Sequence, residues 1–169
     1  MVFTLAHGII IVEIDVHVAV VECGQKNGGN TAELDDMNHP AKTPQRALKV
    51  LVAEDNIINQ RIAVEQLHAL GHTGVVVADG AIALKCLAKL KFDVVLMDVM
   101  MPNMDGLQAL AAIRAKEQTE GGHLPIVMVT AHNEPGEATR FKRAGADGYL
   151  PKPLDVDALK AELHRLIPY

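Results

Sequence analysis

Short apolar runs alternate with amphipathic stretches between residues 48 and 167. Five runs that are apolar on both faces predict buried strands: residues 49–53, 74–78, 93–97, 125–130 and 148–150. Five stretches with helical spacing follow them: residues 59–70, 81–90, 107–115, 137–144 and 155–167. Because helices separate the buried strands, the pattern predicts an α/β fold, a doubly wound five-stranded parallel sheet with five helices.

A different pattern precedes this region. Apolar and polar residues alternate between positions 10 and 20, as is typical of a strand with one buried face. Residues 24–47, rich in Gly, Asn, Pro and charge, predict a linker. We therefore divide the chain into a β-like segment (1–23), a linker (24–47) and a main domain (48–169). The pattern leaves open whether the first segment is the tail of an upstream domain or an extra strand that docks on the main domain or on a second copy.

Composition excludes some functions. The chain has 169 residues, 49% of them hydrophobic and 22% charged, and a net charge of −5. The absence of a Lys and Arg run argues against direct nucleic-acid binding. The longest apolar stretch, residues 8–21, contains three ionisable side chains, is too short to span a bilayer and lacks the features of a signal peptide. We therefore expect a cytoplasmic segment without membrane contact.

Polar side chains follow four of the five predicted strands. Glu54 and Asp55 follow the first strand, Asp98 the third, Thr130 the fourth and Lys152 the fifth. The carboxyl ends of parallel strands meet at one edge of a sheet, so these side chains should converge. Three close carboxylates repel one another unless a cation intervenes, and an oxygen-only ligand set suits Mg²⁺. The lysine and the hydroxyl would suit a phosphoryl group.

These parts make an aspartyl phosphate on Asp98 chemically feasible. A carboxylate nucleophile, a metal ion that neutralises phosphoryl oxygens and a lysine that holds them are the elements of such a transfer. The turn residues Pro102 and Gly106 follow Asp98 and should bend backbone carbonyls toward the metal before the next helix begins.

Four motifs in this region resemble those of the receiver domains of two-component phosphorelays. They are AEDN at 53–56, MDVMMPNMDG at 97–106, Thr130-Ala131 and Lys152-Pro153. The resemblance implies the flavodoxin-like strand order 2-1-3-4-5. The run EDNIINQR is similar to the start of receivers in hybrid kinases, so we expect the C-terminal receiver of a hybrid sensor histidine kinase.

The resemblance also implies a metal site. By position, Asp98 is similar to the phosphoacceptor, and Asp55 and Asp98 are similar to direct Mg²⁺ ligands. Glu54, where many members carry Asp, is similar to a partner of metal-bound water. The Met100 carbonyl is similar to the third protein ligand.

The resemblance further implies a conformational switch. Thr130 resembles the switch hydroxyl, Tyr149 the switch aromatic and Lys152 the phosphate-binding lysine. We therefore expect a receiver that catalyses its own phosphorylation from a histidine kinase or a histidine phosphotransfer domain, with a homodimer left open. Phosphorylation should alter the surface of the fourth helix, fifth strand and fifth helix. In the family, the side chains at the positions of Met100 and His132 flank the path of the hydrolytic water.

Three other functions are compatible with parts of the pattern. A metal-dependent phosphatase would need a second Asp two residues after Asp98, where this chain has Met100. A flavin-binding electron carrier would need a phosphate-cradling loop where this chain has the acids of EDNIIN. The main alternative is a receiver-like scaffold that is not phosphorylated, against which the intact acidic pocket and lysine argue.

Overall fold

The structure, a computed structural model, describes residues 2–6, 9–13, 18–22, 46–131, 134 and 136–167. Its strands are β1 (Val2–Ala6), β2 (Ile9–Glu13), β3 (Val18–Glu22), β4 (Lys49–Ala53), β5 (Thr73–Val77), β6 (Val94–Asp98), β7 (Ile126–Thr130) and β8 (Gly148–Pro151). Its helices are α1 (Ile57–Ala69), α2 (Gly80–Lys89), α3 (Gly106–Glu120), α4 (Glu137–Ala144) and α5 (Val156–Leu166).

Five strands form the parallel sheet that the apolar pattern predicts. They lie in the order β5-β4-β6-β7-β8, and every neighbouring pair is parallel. Counted along the predicted domain this is the order 2-1-3-4-5, so the prediction of the fold is confirmed. The order reverses at β4, which places the ends of β4 and β6 side by side at the carboxyl edge of the sheet.

Three antiparallel strands extend this sheet at the β5 edge. β1 pairs with β2, β2 pairs with β3, and β3 lies beside β5 with Val21 opposite Val75. The prediction of one strand through positions 10–20 was therefore wrong, because the structure has β2 and β3 there. The outer edge of β3, which would be unpaired if β3 were the last strand, is hydrogen-bonded to β2. The domain boundaries stay a prediction.

Two apolar layers cover the parallel sheet. On one face, α2, α3 and α4 pack on side chains that include Leu51, Val95 and Met128. On the other face, α1 and α5 bury Leu67 and Leu159 against β4, β6 and β7. These layers explain why the parallel strands are apolar on both faces, and they hold the strand ends in fixed positions.

The helix α3 is five residues longer at its carboxyl end than its apolar spacing predicts. Its start is fixed by a capping box between Asp105 and Gln108. Its polar end is held by ion pairs instead of a core, with Arg114 2.6 Å from Glu117. Among the described helices, none combines the length and apolarity that a membrane crossing requires.

Candidate phosphorylation and metal site

Three carboxylates meet at the carboxyl edge of the sheet, as the strand-end pattern predicts. Glu54 and Asp55 follow β4, and Asp98 is the last residue of β6. One carboxylate oxygen from each of the three lies within 4.8 Å of the other two. Glu54 and Asp98 are buried, whereas Asp55 is exposed at the mouth of the pocket. The sheet therefore concentrates negative charge at one point, where repulsion opposes folding.

Lys152 is the cation that faces these acids. Its Nζ lies 2.6 Å from the Glu54 Oε2 and 2.8 Å from the Asp98 Oδ2. The backbone N–H of Lys152 donates to the Thr130 carbonyl at 2.7 Å, which ties the lysine to the end of β7. The peptide bond between Lys152 and Pro153 is cis. One lysine thus bridges the acids of two strands.

The electrostatics of this pair follow from burial and from charge. Burial raises the pKa of the Asp98 carboxyl, and the neighbouring charge of Glu54 raises it further, against the opposing effect of Lys152. Burial alone would lower the pKa of Lys152, but its hydrogen bonds to Asp98 and Glu54 outweigh burial and raise it. The pocket therefore holds the lysine charged, while the cost of a charged Asp98 remains incompletely compensated.

Glu54 is fixed by donors from the start of α1. Its Oε1 accepts hydrogen bonds from the Asn56 N–H at 3.1 Å and from the Asn59 Nδ2 at 3.2 Å. Asn56 also caps α1 by accepting from the N–H groups of Ile58 and Asn59. The sequence reasoning missed Asn59. The position of Asn59 in the first turn of a helix that begins just after Glu54 is a signal that could have identified it.

The loop after Asp98 is folded tightly against the end of β6. The Gly106 N–H donates to the Val99 carbonyl at 3.0 Å, and the Met100 N–H donates to the Asp98 Oδ1 at 3.3 Å. A Cβ atom at position 106 would lie 2.0 Å from the Asp98 carbonyl oxygen, so glycine is required there. Met100 is 66% exposed beside the pocket.

The two expected switch residues lie on neighbouring strands. Thr130 ends β7 and is buried, and Tyr149 in β8 is 36% exposed. Tyr149 is registered with Met128 and Pro151 with Thr130, so both expected side chains lie on one face of the sheet. The Tyr149 ring centre lies 6.3 Å from that of Phe141 in α4. His132 lies outside the described residues.

The donor set fits Mg²⁺. The three converging groups are carboxylates, which are the hard oxygen ligands that this ion prefers. The exposed position of Asp55 leaves an approach from solvent, and water would complete the coordination of an ion that seldom gives up all its water. A bound divalent cation would also remove the repulsion that Lys152 alone leaves in the pocket.

The chain belongs to the response regulator receiver domain family, whose pattern matches residues 50–164. It is 41% identical over 116 residues to sensor histidine kinase RcsC of Salmonella typhi, which covers 69% of this chain and 12% of that protein. It is 42% identical over 112 residues to hybrid signal transduction histidine kinase I of Dictyostelium discoideum, covering 63% of this chain and 6% of that protein. The chain thus spans a small part of these relatives.

Solved structures share this fold. The receiver domain of sensor histidine kinase PA1611 from Pseudomonas aeruginosa PAO1, crystallised with a magnesium ion in its active site cleft, matches with 34% identity and a TM-score of 0.65. The match covers 73% of this chain and all of that one (100%). A Saccharomyces cerevisiae complex of the phosphotransfer protein Ypd1 with the Ssk1 receiver matches with 26% identity, a TM-score of 0.67 and coverage of 71% and 88%.

Proposed function

We propose that this receiver accepts a phosphoryl group from a phosphohistidine onto Asp98, with Mg²⁺ bound by the pocket. The observation that carries the proposal is the convergence of Glu54, Asp55 and Asp98, two of which, Glu54 and Asp98, also contact the charged end of Lys152. Two alternatives fit less well. A phosphatase would need an acid at position 100, where this chain has Met100, and the phosphate of a flavin would be repelled by the three carboxylates. The magnesium ion in a similar receiver supports the same assignment.

Each residue of the site has a separate role in the proposed phosphoryl transfer. An Asp98 oxygen attacks the phosphorus while the bond from phosphorus to the histidine nitrogen breaks, and the leaving imidazole takes up the electron pair. Bound Mg²⁺ would supply charge neutralisation to the phosphoryl oxygens. Lys152, held on Asp98 in the unphosphorylated pocket, would move its hydrogen bond to a phosphoryl oxygen. Asp55 and Asp98 would bind the cation directly, Glu54 would hold a water molecule bound to it, and the Met100 carbonyl would be the third protein ligand.

Intact mass measurement after treatment with a small acyl phosphate tests this proposal. With Mg²⁺, the wild-type chain should gain one base-labile phosphoryl group, and without a divalent cation it should gain little. Asp98→Asn should gain none, because the amide is no nucleophile for this reaction. An unphosphorylated scaffold would gain none in either form. If Asp98→Asn were labelled as strongly as wild type, the phosphoacceptor would have to be a residue other than Asp98.

The partner is expected to be a histidine kinase or a histidine phosphotransfer domain. Three exposed apolar side chains border the pocket, Ile57 and Ile58 at 69% and 65% exposure and Met100 at 66%. A patch of this kind next to a reaction centre suits a helix that carries the phosphohistidine. Ile58→Glu should slow transfer from a phosphohistidine protein and leave labelling by a small acyl phosphate unchanged. Equal slowing with both donors would contradict a docking role.

The output is a change of the surface formed by α4, β8 and α5. Thr130 would move toward the phosphoryl oxygen, and Tyr149 would turn into the space that it leaves, which shifts an equilibrium between two surface states. NMR shifts on phosphorylation should therefore reach Phe141, which contacts Tyr149. Shifts confined to the residues around Asp98 would refute this switch. The parent is proposed to be a hybrid sensor histidine kinase, since two of the relatives are named hybrid signal transduction histidine kinases.

A further inference from the structure

The loop between β6 and α3, residues 99–105, carries the backbone that the proposed metal site needs. It contains Asn103, whose φ of 62° makes it the one non-glycine residue with positive φ in the described part of the chain. Asparagine tolerates this left-handed conformation better than most residues, but it still has a cost. A loop with such a residue keeps one conformation only if its surroundings hold it there.

A buried carboxylate from a different part of the fold provides that hold. The Asn103 Nδ2 donates to the Asp79 Oδ2 at 3.0 Å. Asp79 is 7% exposed, and its other oxygen, Oδ1, accepts from the Ile82 N–H at 2.7 Å and so caps α2. One side chain therefore fixes the start of α2 and the middle of the loop at the same time.

The backbone next to Asp79 adds a second attachment. The Gly80 N–H donates to the Met104 carbonyl at 3.1 Å. A Cβ atom at position 80 would lie 2.8 Å from that oxygen, so the start of α2 and the loop are in direct contact. Because α2 is packed in the core through Ala83 and Cys86, the loop is attached to a rigid element.

We infer that Asp79 is a positioning residue for the metal and phosphorylation site: through Asn103 it holds the loop that presents the Met100 carbonyl. This inference rests on the proposed function of that carbonyl. Without the hydrogen bond the loop samples other conformations, and the cation must select the competent one, which weakens its apparent affinity. Half-saturation by Mg²⁺ then rises, while the phosphorylation rate at saturating Mg²⁺ changes little.

Exchanging the two polar groups tests the inference, and the double variant keeps the net charge of the wild type. Asn103→Asp sets two carboxylates against each other and should raise the Mg²⁺ concentration for half-maximal labelling about tenfold, as expected for the loss of a charge-assisted hydrogen bond. Asp79→Asn keeps the cap through its single oxygen, and its amide nitrogen can donate to the Asn103 Oδ1 once the Asn103 amide turns over, so it should stay within about threefold of wild type. The double variant restores donor and acceptor and should return to about the value of Asp79→Asn.

Two further measurements separate positioning from folding. Thermal unfolding without Mg²⁺ should show Asn103→Asp folded at the assay temperature. Hydrogen exchange in the metal-free protein should be faster at the Met104 and Gly106 amides in Asn103→Asp and restored in the double variant. Wild-type Mg²⁺ affinity in Asn103→Asp, or no recovery in the double variant, would overturn the inference. If wild type binds no Mg²⁺, the proposed function fails, and the exchange rates alone decide whether Asp79 holds the loop.

Discussion

The two ends of the parallel sheet carry their charges in opposite ways. At the carboxyl end, Glu54, Asp55 and Asp98 cluster, and Lys152 pairs with two of them, Glu54 and Asp98. At the amino ends of β7 and β8, Arg114 lies 2.6 Å from Glu117 and 2.7 Å from Asp147 and also donates to the Gly145 and Leu124 carbonyls. At the carboxyl end three acids face one lysine, whereas at the amino end each of the two acids is within 2.7 Å of Arg114, and the side chain of His123 lies 2.6 Å from Asp147.

This difference indicates that the charges at the amino end stabilise the fold, whereas those at the carboxyl end serve the proposed chemistry. The Arg114 cluster joins α3 to the segments that precede β7 and β8, and Asp147 also accepts from the Ile126 N–H at 2.8 Å. Its acids need no ligand, because the protein itself supplies every donor. The acids around Asp98 are left partly uncompensated, which suits the cation and the phosphoryl group that we propose they bind. The same type of residue therefore has opposite effects on stability at the two ends.

The largest expected effect is at the amino end. Asp147→Asn should lower the free energy of unfolding by about 2 kcal/mol, because the mostly buried Arg114 loses one of its two carboxylate partners and keeps only Glu117. Urea denaturation without Mg²⁺ measures this loss. Glu120→Gln is the matched control, since its ion pair with Lys116 is exposed and 3.6 Å long and should contribute about 0.5 kcal/mol at most. Equal losses in both variants would remove the contrast between the ends.

A smaller effect, on rate and not on stability, is expected at the carboxyl end. The exposed Met100 side chain offers no hydrogen bond to orient a hydrolytic water, so we expect the phosphoryl group to last many minutes or longer. Met100→Asn should speed its loss roughly tenfold, about 1.4 kcal/mol of barrier. Decay of the phosphorylated form after removal of the donor checks this. A wild-type lifetime of seconds, or no acceleration in the variant, would reject it.

A stability effect of opposite sign is expected for Asp55→Asn. Removing this charge relieves repulsion on Glu54 and Asp98, so the metal-free protein should gain about 0.5 kcal/mol, the size typical of exposed charges. The same change should weaken Mg²⁺ binding, and with it the stabilisation that added Mg²⁺ gives. Denaturation with and without Mg²⁺ measures both effects. A clear loss of metal-free stability would contradict a repulsive cluster.

The smallest expected effect concerns pH and again differs between the ends. At the amino end, burial lowers the pKa of His72, whose Nδ1 accepts from the Leu48 N–H, although Asp93 opposes the shift. The native state therefore disfavours the charged ring, and stability present above the unfolded pKa of 6.5 is lost as pH falls through the lowered value. His72→Gln should lose less stability than wild type between pH 7 and about pH 5.

Asp98 should give the reverse dependence. Its raised pKa means that folding favours the protonated carboxyl. The stability that this carboxyl contributes is therefore present below its ordinary pKa of 3.8 and is lost as pH rises through the raised value. Without Mg²⁺, Asp98→Asn should therefore gain stability relative to wild type as pH rises from about 4 to 7. A difference that stays constant over this range would contradict the uncompensated charge at the carboxyl end.

Sequence reasoning identified the functional end better than the structural end. Glu54, Asp98 and Lys152 each follow an apolar strand, and the parallel topology alone requires them to meet. The Arg114 cluster has no such regularity, since Asp147 and Glu117 are brought to Arg114 only by the packing of α3 against two loops. The hydrogen bond between Asp79 and Asn103 was also missed, because only the packing of the fold brings these two residues together. An Asp-Gly pair before an amphipathic stretch is nevertheless a helix-start signal.

The elements show the same limits. Apolar runs predicted the parallel strands to within one residue, because burial on both faces leaves a clear pattern. The carboxyl end of α3 was missed, because its last turns are polar and are held by ion pairs. The amino-terminal strands were predicted as one, because period-two alternation defines which residues share a face but does not define where a chain reverses.

The close approach of Gly106 to the Asp98 carbonyl has a consequence for evolvability. Position 106 has no room for one additional carbon, whereas the Met100 side chain six residues earlier lies in solvent. The position that shapes the loop is therefore distinct from the position expected to set the phosphoryl lifetime. A lineage can change the duration of its signal by substituting one surface residue, without redesigning the loop, and a library that randomises position 100 while keeping position 106 as glycine should sample a wide range of signal durations.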